Sequence, residues 1–295
     1  MVISYDFKLI KSGKEIEVYK YRDKLISRGL KQKPKLKKKK QVDNKPKAGS
    51  PYFVEIEKWD LFTYAKVNAK REAEQLALKE IKQHKTKFSI SRTRTSIRRL
   101  VNANPHLCKF LTLTFAKSTT ELSKANKIFN TAMKRIMRRL PKFEYIAIVE
   151  YQSDIDFFGR VKPDGGSVHY HLLCNIETPT KYQDVRDWEV WFDRRYWKHG
   201  FCKVKEVTKI TNMGAYFCKY LGKDMTDTRM FGKKKYFCSR TLKKPVEMIR
   251  TEAIEFYQHY VSELEPVFER TFYSEYVGNI MYSAYTLSEE VQLEP

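Results

Sequence analysis

Two histidines one residue apart, in Val168-His169-Tyr170-His171-Leu172-Leu173, are the side chains of this chain best placed to do chemistry. The stretch reads as a strand, and side chains on a strand alternate between faces. Both imidazoles therefore point the same way, with apolar residues beside them. Two imidazoles on one face supply half of a metal site, although two unrelated half-exposed histidines would give the same pattern. Downstream lies Tyr216-Phe217-Cys218-Lys219-Tyr220-Leu221-Gly222-Lys223. On a helix, Tyr216, Lys219, Tyr220 and Lys223 stand at i, i+3, i+4 and i+7 and share one face. Aromatic helix faces commonly pack in cores. A phenol beside an ammonium and a metal, however, gains phenolate character and can attack phosphorus. The resulting phosphotyrosine ester keeps its bond energy, so the same site could later rejoin strands. Paired histidines, a helical tyrosine and an excess of cations together point to cutting and rejoining of a nucleic-acid strand.

The elements that must position these residues run from Lys109 to Leu221. Phe110 to Phe115 alternates and is β-rich, so it predicts a strand. Thr120 to Leu140 predicts an amphipathic helix, stopped by Pro141. Tyr145 to Gln152 is a second strand, and Asp154 to Gly166 a polar connection with a turn at Pro163-Asp164-Gly165-Gly166. Val168 to Asn175 is the histidine strand. Tyr182 to Trp197 predicts a long aromatic helix, Lys203 to Val207 a short strand, and Asn212 to Leu221 a helix stopped by Gly222. This order gives an α+β fold, a central antiparallel sheet flanked by helices on one or both faces. The hairpin sets the strand of Glu150 beside the histidine strand. A carboxylate on a largely apolar face wants a cation, so Glu150 is the candidate third ligand and Gln152 an outer possibility. Mixed nitrogen and oxygen ligation with open positions suits Mn²⁺ or Mg²⁺, with Zn²⁺ also compatible.

Composition narrows the partner. The chain has 295 residues and a formal net charge of +23, with 58 Lys and Arg against 35 Asp and Glu. Such a surplus favours a polyanion. Arg92, Arg94, Arg98 and Arg99, within Ser91 to Leu100, predict a basic helix lying on DNA, with Lys223 as a further contact; a solvated helix face has the same pattern. Lys31 to Lys47 reads as a disordered linker. Leu9 to Tyr21 predicts a hairpin about Ser12-Gly13, Tyr52 to Ile56 a strand, and Asn68 to Lys85 a helix. From Ser262 onward acidic and aromatic residues dominate, suited to docking on a partner, folding back, or packing as a terminal helix. The expected organisation is a basic N-terminal extension over 1–50, a helical DNA-contacting region over 51–108, a nuclease domain over 109–245 and a helical, acidic, aromatic tail over 246–295. No apolar run approaches the roughly 20 residues that span a bilayer, and the start lacks a secretory pattern. The five widely spaced cysteines contain no Cys-x-x-Cys. Reduced thiols in a bacterial cytoplasm are the expectation.

The same residues resemble the HUH endonuclease superfamily, specifically rolling-circle replication initiators of plasmids and small phages. Phe110-Leu111-Thr112-Leu113-Thr114-Phe115 is similar to the first motif, a strand ending in threonines. Val149-Glu150-Tyr151-Gln152 with His169-Tyr170-His171-Leu172-Leu173 resembles the acidic ligand and the metal-binding pair. Tyr216 to Lys223 resembles the catalytic helix in its two-tyrosine form, and Ser239 to Pro245 a segment that follows the nuclease core. The resemblance spans roughly Arg92 to Pro245. It implies an HUH/RRM-like palm, ligands His169, His171 and Glu150, and Tyr216 as first nucleophile beside Lys219. Tyr220 would be a second nucleophile or a packing residue. It also implies a nick in single-stranded or hairpin origin DNA, a link to the 5′ phosphate, and a 3′ hydroxyl that primes synthesis. No P-loop pattern is present, so no nucleotide cofactor is expected, and a host helicase and polymerase would serve. A relaxase or transposase of the same superfamily, or a non-catalytic origin- or RNA-binding protein, are the alternatives. The connection from Gln152 to His169 is longer than a compact hairpin needs.

Overall fold

The structure, a computed structural model, describes residues 3–23, 25–28, 88–208, 210, 212–219, 228–230, 233–289 and 291. The lysine-rich stretch, the strand expected at Tyr52 to Ile56, the helix expected at Asn68 to Lys85, and Tyr220 and Lys223 lie outside these residues. The chain divides into two compact units. Met1–Ser4 with Ser27–Ser89 form the smaller, most of it outside the described residues; Tyr5–Ile26 with Ile90–Pro295 form the larger. Short strands β1 (Ile3–Tyr5) and β4 (Ile26–Arg28) pair as a two-stranded sheet.

The larger unit is α+β, with two antiparallel five-stranded sheets among the described residues. Its first sheet is assembled from both ends of the sequence. β2 (Phe7–Ser12) and β3 (Glu15–Tyr21) form the expected hairpin, and Gly13 takes the turn at φ +62°. They pair with β10 (Val246–Ile249) and β12 (Gly278–Thr286), and β11 (Phe268–Ser274) closes the edge. Helix α5 (Arg250–Tyr260) covers one face through Ala253 and Phe256, packed with Leu9, Ile16, Val18 and Met248. The C-terminal stretch expected to be helical is therefore one helix followed by a hairpin. Its Tyr282, Ala284 and Thr286 alternate at a strand period, and β12 finds its partner in β3, more than 250 positions earlier in the numbering.

The second sheet has the order β8-β5-β7-β6-β9. Its strands are β5 (Lys109–Phe115), β6 (Tyr145–Tyr151), β7 (Val168–Cys174), β8 (Gly200–Glu206) and β9 (Tyr236–Cys238). The first four follow the sequence expectation, with β8 starting three residues earlier. Helix α2 (Leu122–Arg139) carries Leu122, Ala125, Phe129, Ala132, Met133 and Ile136 on one stripe, all buried against the sheet. Lys124, Lys127 and Lys134 are exposed on the other side. Burial of side chains of this kind contributes about 1.5–3 kcal/mol each, which selects this face. Helix α3 (Tyr182–Phe192) ends earlier than expected and passes into a wider turn at Asp193–Trp197. Trp197 is fully buried there, and its Nε1 donates to the Thr114 carbonyl at 2.9 Å.

Helix α1, over residues 88–102, lies between the two sheets. Ile97 and Val101 are buried in a cluster with Phe110, Ile146 and Leu173 of the second sheet. Arg98 and Arg99 on its other side bind Glu17 of β3, which is 5% exposed. Among the described residues no helix is long and apolar enough to cross a membrane.

Candidate active site

Cross-strand neighbours in the second sheet arrange the site as rungs. Along one rung stand Phe201, Thr114, His169 and Glu150; along the next, Lys203, Thr112, His171, Ile148 and Tyr236. A third rung holds Lys205, Phe110, Leu173, Ile146 and Cys238. Directly opposed residues of an antiparallel pair share a face, so all three rungs look the same way. The opposite face is the apolar side covered by α2 and α3. The histidine face is covered by α1 and α4 (Met213–Lys219) at the third rung. It opens toward the first, where Phe201 is 64% exposed.

The two imidazoles differ in surroundings. His171 is buried, its Nδ1 3.0 Å from Thr112 Oγ1 and its Nε2 in direct contact with the Glu150 carboxylate. Thr112 therefore fixes the ring orientation from behind, as second partners of ligating histidines do. His169 has a buried Nε2 with no hydrogen-bond partner. Its pKa is lowered to about 4, chiefly by burial and then by His171, which keeps it neutral near neutral pH. A neutral imidazole with an unsatisfied nitrogen is a lone-pair donor in search of an acceptor. Among the described residues no three His, Cys, Asp or Glu side chains are gathered around a common point; Glu150 is turned onto His171.

Helix α4 carries Tyr216. Asn212 caps it, its Oδ1 accepting from Ala215 N at 2.9 Å. The helix is pressed onto α1: Gly214 N donates to Asn102 Oδ1 at 3.0 Å, and Cys218 Sγ donates to the Arg94 carbonyl at 3.4 Å. A Cβ on Gly214 would sit 2.3 Å from Asn102 Oδ1 and 2.7 Å from the Arg98 carbonyl, so only glycine allows this approach. The docking sets Tyr216 edge-on to Phe110 at 6.3 Å between ring centroids, and Phe110 stacks on His171 at 5.5 Å. Tyr216 is thus one aromatic ring away from the histidine pair.

Of the other expected residues, Lys219, Arg92 and Arg94 are exposed. Arg98 and Arg99 turn inward: both bind Glu17, and Arg99 also donates to the Tyr19 hydroxyl at 2.7 Å. A basic helix laid on DNA by all four arginines is therefore not what the packing offers. Arg98 and Arg99 compensate a buried carboxylate, which the alternation of the β2–β3 hairpin alone did not disclose. Thr112, Phe110, Asn102 and Gly214 were not assigned a role from sequence, because their roles rest on strand register and helix docking. All five cysteines are free thiols.

Residues 108–225 match the family model of a replication-associated protein of the ORF2 type. Comparison with curated proteins and with solved structures returned no match.

Proposed function

From the match to a replication-associated family and from the ring contact of Phe110 with both His171 and Tyr216, we propose that this chain is a replication initiator that nicks single-stranded origin DNA. The reading rests most on that contact, because it brings a phenol-bearing helix to the face that carries the paired imidazoles. The donor set fits a divalent ion such as Mn²⁺ or Mg²⁺: the orphaned His169 Nε2, His171 Nε2 held by Thr112, and the Glu150 carboxylate. When bound, such an ion polarises a phosphate and stabilises charge on its oxygens. Glu150 would exchange its contact with His171 for that role.

The chain's own groups supply the rest. Tyr216 Oη attacks phosphorus and the P–O3′ bond breaks. The phenol proton is released, and the departing 3′ oxygen takes up a proton, leaving a 5′-phosphotyrosine and a 3′ hydroxyl able to prime synthesis. The reverse attack by a 3′ hydroxyl rejoins strands at termination. Lys219, one turn from Tyr216, favours the charged phenolate. Tyr220, one turn along in sequence, is a second nucleophile or a packing residue. Arg92, Arg94 and Lys223 add phosphate contacts, with a host helicase and polymerase acting on the product in a bacterial cytoplasm.

The test is incubation with labelled single-stranded origin DNA and Mn²⁺ followed by denaturation. Protein-linked DNA that vanishes in Tyr216→Phe is the expected result. Binding with no cleavage by the wild type would overturn the reading in favour of a non-catalytic origin- or RNA-binding protein, which the lack of a ready three-donor cluster among the described residues would also suit.

A further inference from the structure

The strand pair that carries Glu150 and His169 does not end at the sheet. It continues into the connection 152–167, which leaves from the end where those two residues stand. At its tip Phe157 is 97% exposed and Phe158 77% exposed, with their rings edge-to-face at 5.6 Å. Two adjacent phenylalanines held in water forfeit the burial that normally places such residues inside.

The tip is built to hold them there. Asp156 Oδ1 accepts from the backbone N–H of Phe158 and of Arg160, each at 2.9 Å, and Asp156 Oδ2 accepts from Arg160 Nε at 2.9 Å. Ile155 and Val161 form a bridge below it. At the base, Asp154 Oδ1 accepts from Gly166 N at 2.6 Å and from Arg229 at 3.1 Å, and Arg229 lies 3.9 Å over the Tyr151 ring. The backbone hydrogen bond from Gln152 N to the Ser167 carbonyl closes the neck at 2.8 Å. Asp154 and Asp156 are thus engaged within the turn. The Arg160 guanidinium lies 5.0 Å over the Phe158 ring and is largely exposed.

We propose that this connection is a stacking finger: Phe157 and Phe158 take bases of the DNA strand next to the nicking site, with Arg160 on the adjoining phosphate. The inference rests on the nicking reading only for its choice of strand. An aromatic face accepts any base, and an arginine beside it follows the backbone. The net charge of +23 favours a polyanion over an apolar protein partner. A finger continuous with the strands of Glu150 and His169 would also part a base step at the end where cleavage is proposed.

The experiment uses single-stranded oligonucleotides with 2-aminopurine tiled along the origin strand. The wild type is expected to change the fluorescence at adjacent positions. Phe157→Ala with Phe158→Ala should abolish that change and weaken binding about tenfold or more, with an unaltered thermal midpoint because both rings protrude. Phe157→Trp with Phe158→Trp should restore both signals. Equal affinity and equal fluorescence response in the alanine variant would overturn the finger while leaving the nicking reading intact. So would loss of binding to phosphatidylglycerol vesicles with DNA binding unchanged, which would assign the rings to a membrane surface. A wild type that stacks on bases but never nicks would uphold the finger and defeat the nicking reading, and one that binds no single strand would defeat both.

Discussion

Asn102, at the end of α1, holds Gly214 of α4 by a 3.0 Å hydrogen bond from the Gly214 N–H to its side-chain oxygen. Its own carbonyl oxygen faces Gly13, where a Cβ would come within 2.2 Å. One residue therefore joins the hairpin turn of the first sheet to the helix that carries Tyr216. Gly214→Ala places a methyl against this joint and the Arg98 carbonyl. Overpacking of this kind costs about 1–3 kcal/mol, and α4 must move away from α1. The expected result is a lower denaturation midpoint together with slower single-turnover formation of the protein–DNA link. Normal rates in Gly214→Ala would show that the docking of α4 does not set the position of Tyr216.

Thr112 touches His171 and not the open end of the site, so it acts as a positioning residue. Thr112→Val keeps the shape and removes the hydroxyl that orients the ring. Loss of such a partner lowers metal affinity about 10–100-fold, read directly as the midpoint of a Mn²⁺ titration. His169→Ala and His171→Ala should abolish cleavage yet leave most of the salt-sensitive DNA binding, which depends on cations. Undiminished Mn²⁺ binding in both histidine variants would remove the metal assignment.

Glu17 is buried between two guanidinium groups, and the Tyr282 hydroxyl also donates to it at 3.1 Å. Glu17→Ala leaves Arg98 and Arg99 facing each other without their counter-charge. Removal of one member of a buried ion pair costs about 3–5 kcal/mol, and the partial exposure of Arg98 and Arg99 places the loss near 3 kcal/mol or below. Chemical denaturation measures it. Stability equal to the wild type would mean that the two arginines hydrate without cost, and would return them to the set of open DNA contacts.

Burial raises the thiols of Cys174 and Cys202 from 9.0 to about 12 and that of Cys218 to about 11. The folded state then holds its protons above the pH at which the unfolded chain loses them. This stabilisation is complete below pH 9.0 and is lost as pH rises through the folded values. Alkaline titration of the unfolding free energy should fall more steeply in the wild type than in Cys174→Ala. Rapid alkylation of all five cysteines at pH 8 in the native protein would contradict the burial.

Much of the nuclease-like sheet was legible in the chain. Period-two alternation in Val168 to Cys174 is a local property, enforced by backbone geometry, and it puts His169 and His171 on one face whatever the partners are. The stripe of α2 and the stop at Pro141 are equally local. The charge of +23 predisposes the molecule to a polyanion with no reference to its fold.

Tertiary structure alone decided the rest, because it depends on contacts between residues far apart in sequence. Register in the β5–β7–β6 ladder selected Thr112 and Glu150 as the partners of His171. Close packing at Gly214 set where Tyr216 stands, and the buried charge of Glu17 drew Arg98 and Arg99 away from the surface. The acidic aromatic tail, which has helical and strand character side by side, became a hairpin because β3 offered it an open edge to satisfy its backbone hydrogen bonds. The exposed pair Phe157 and Phe158 stands in the sequence as two apolar letters in a polar connection. Only the folded turn shows that no core receives them.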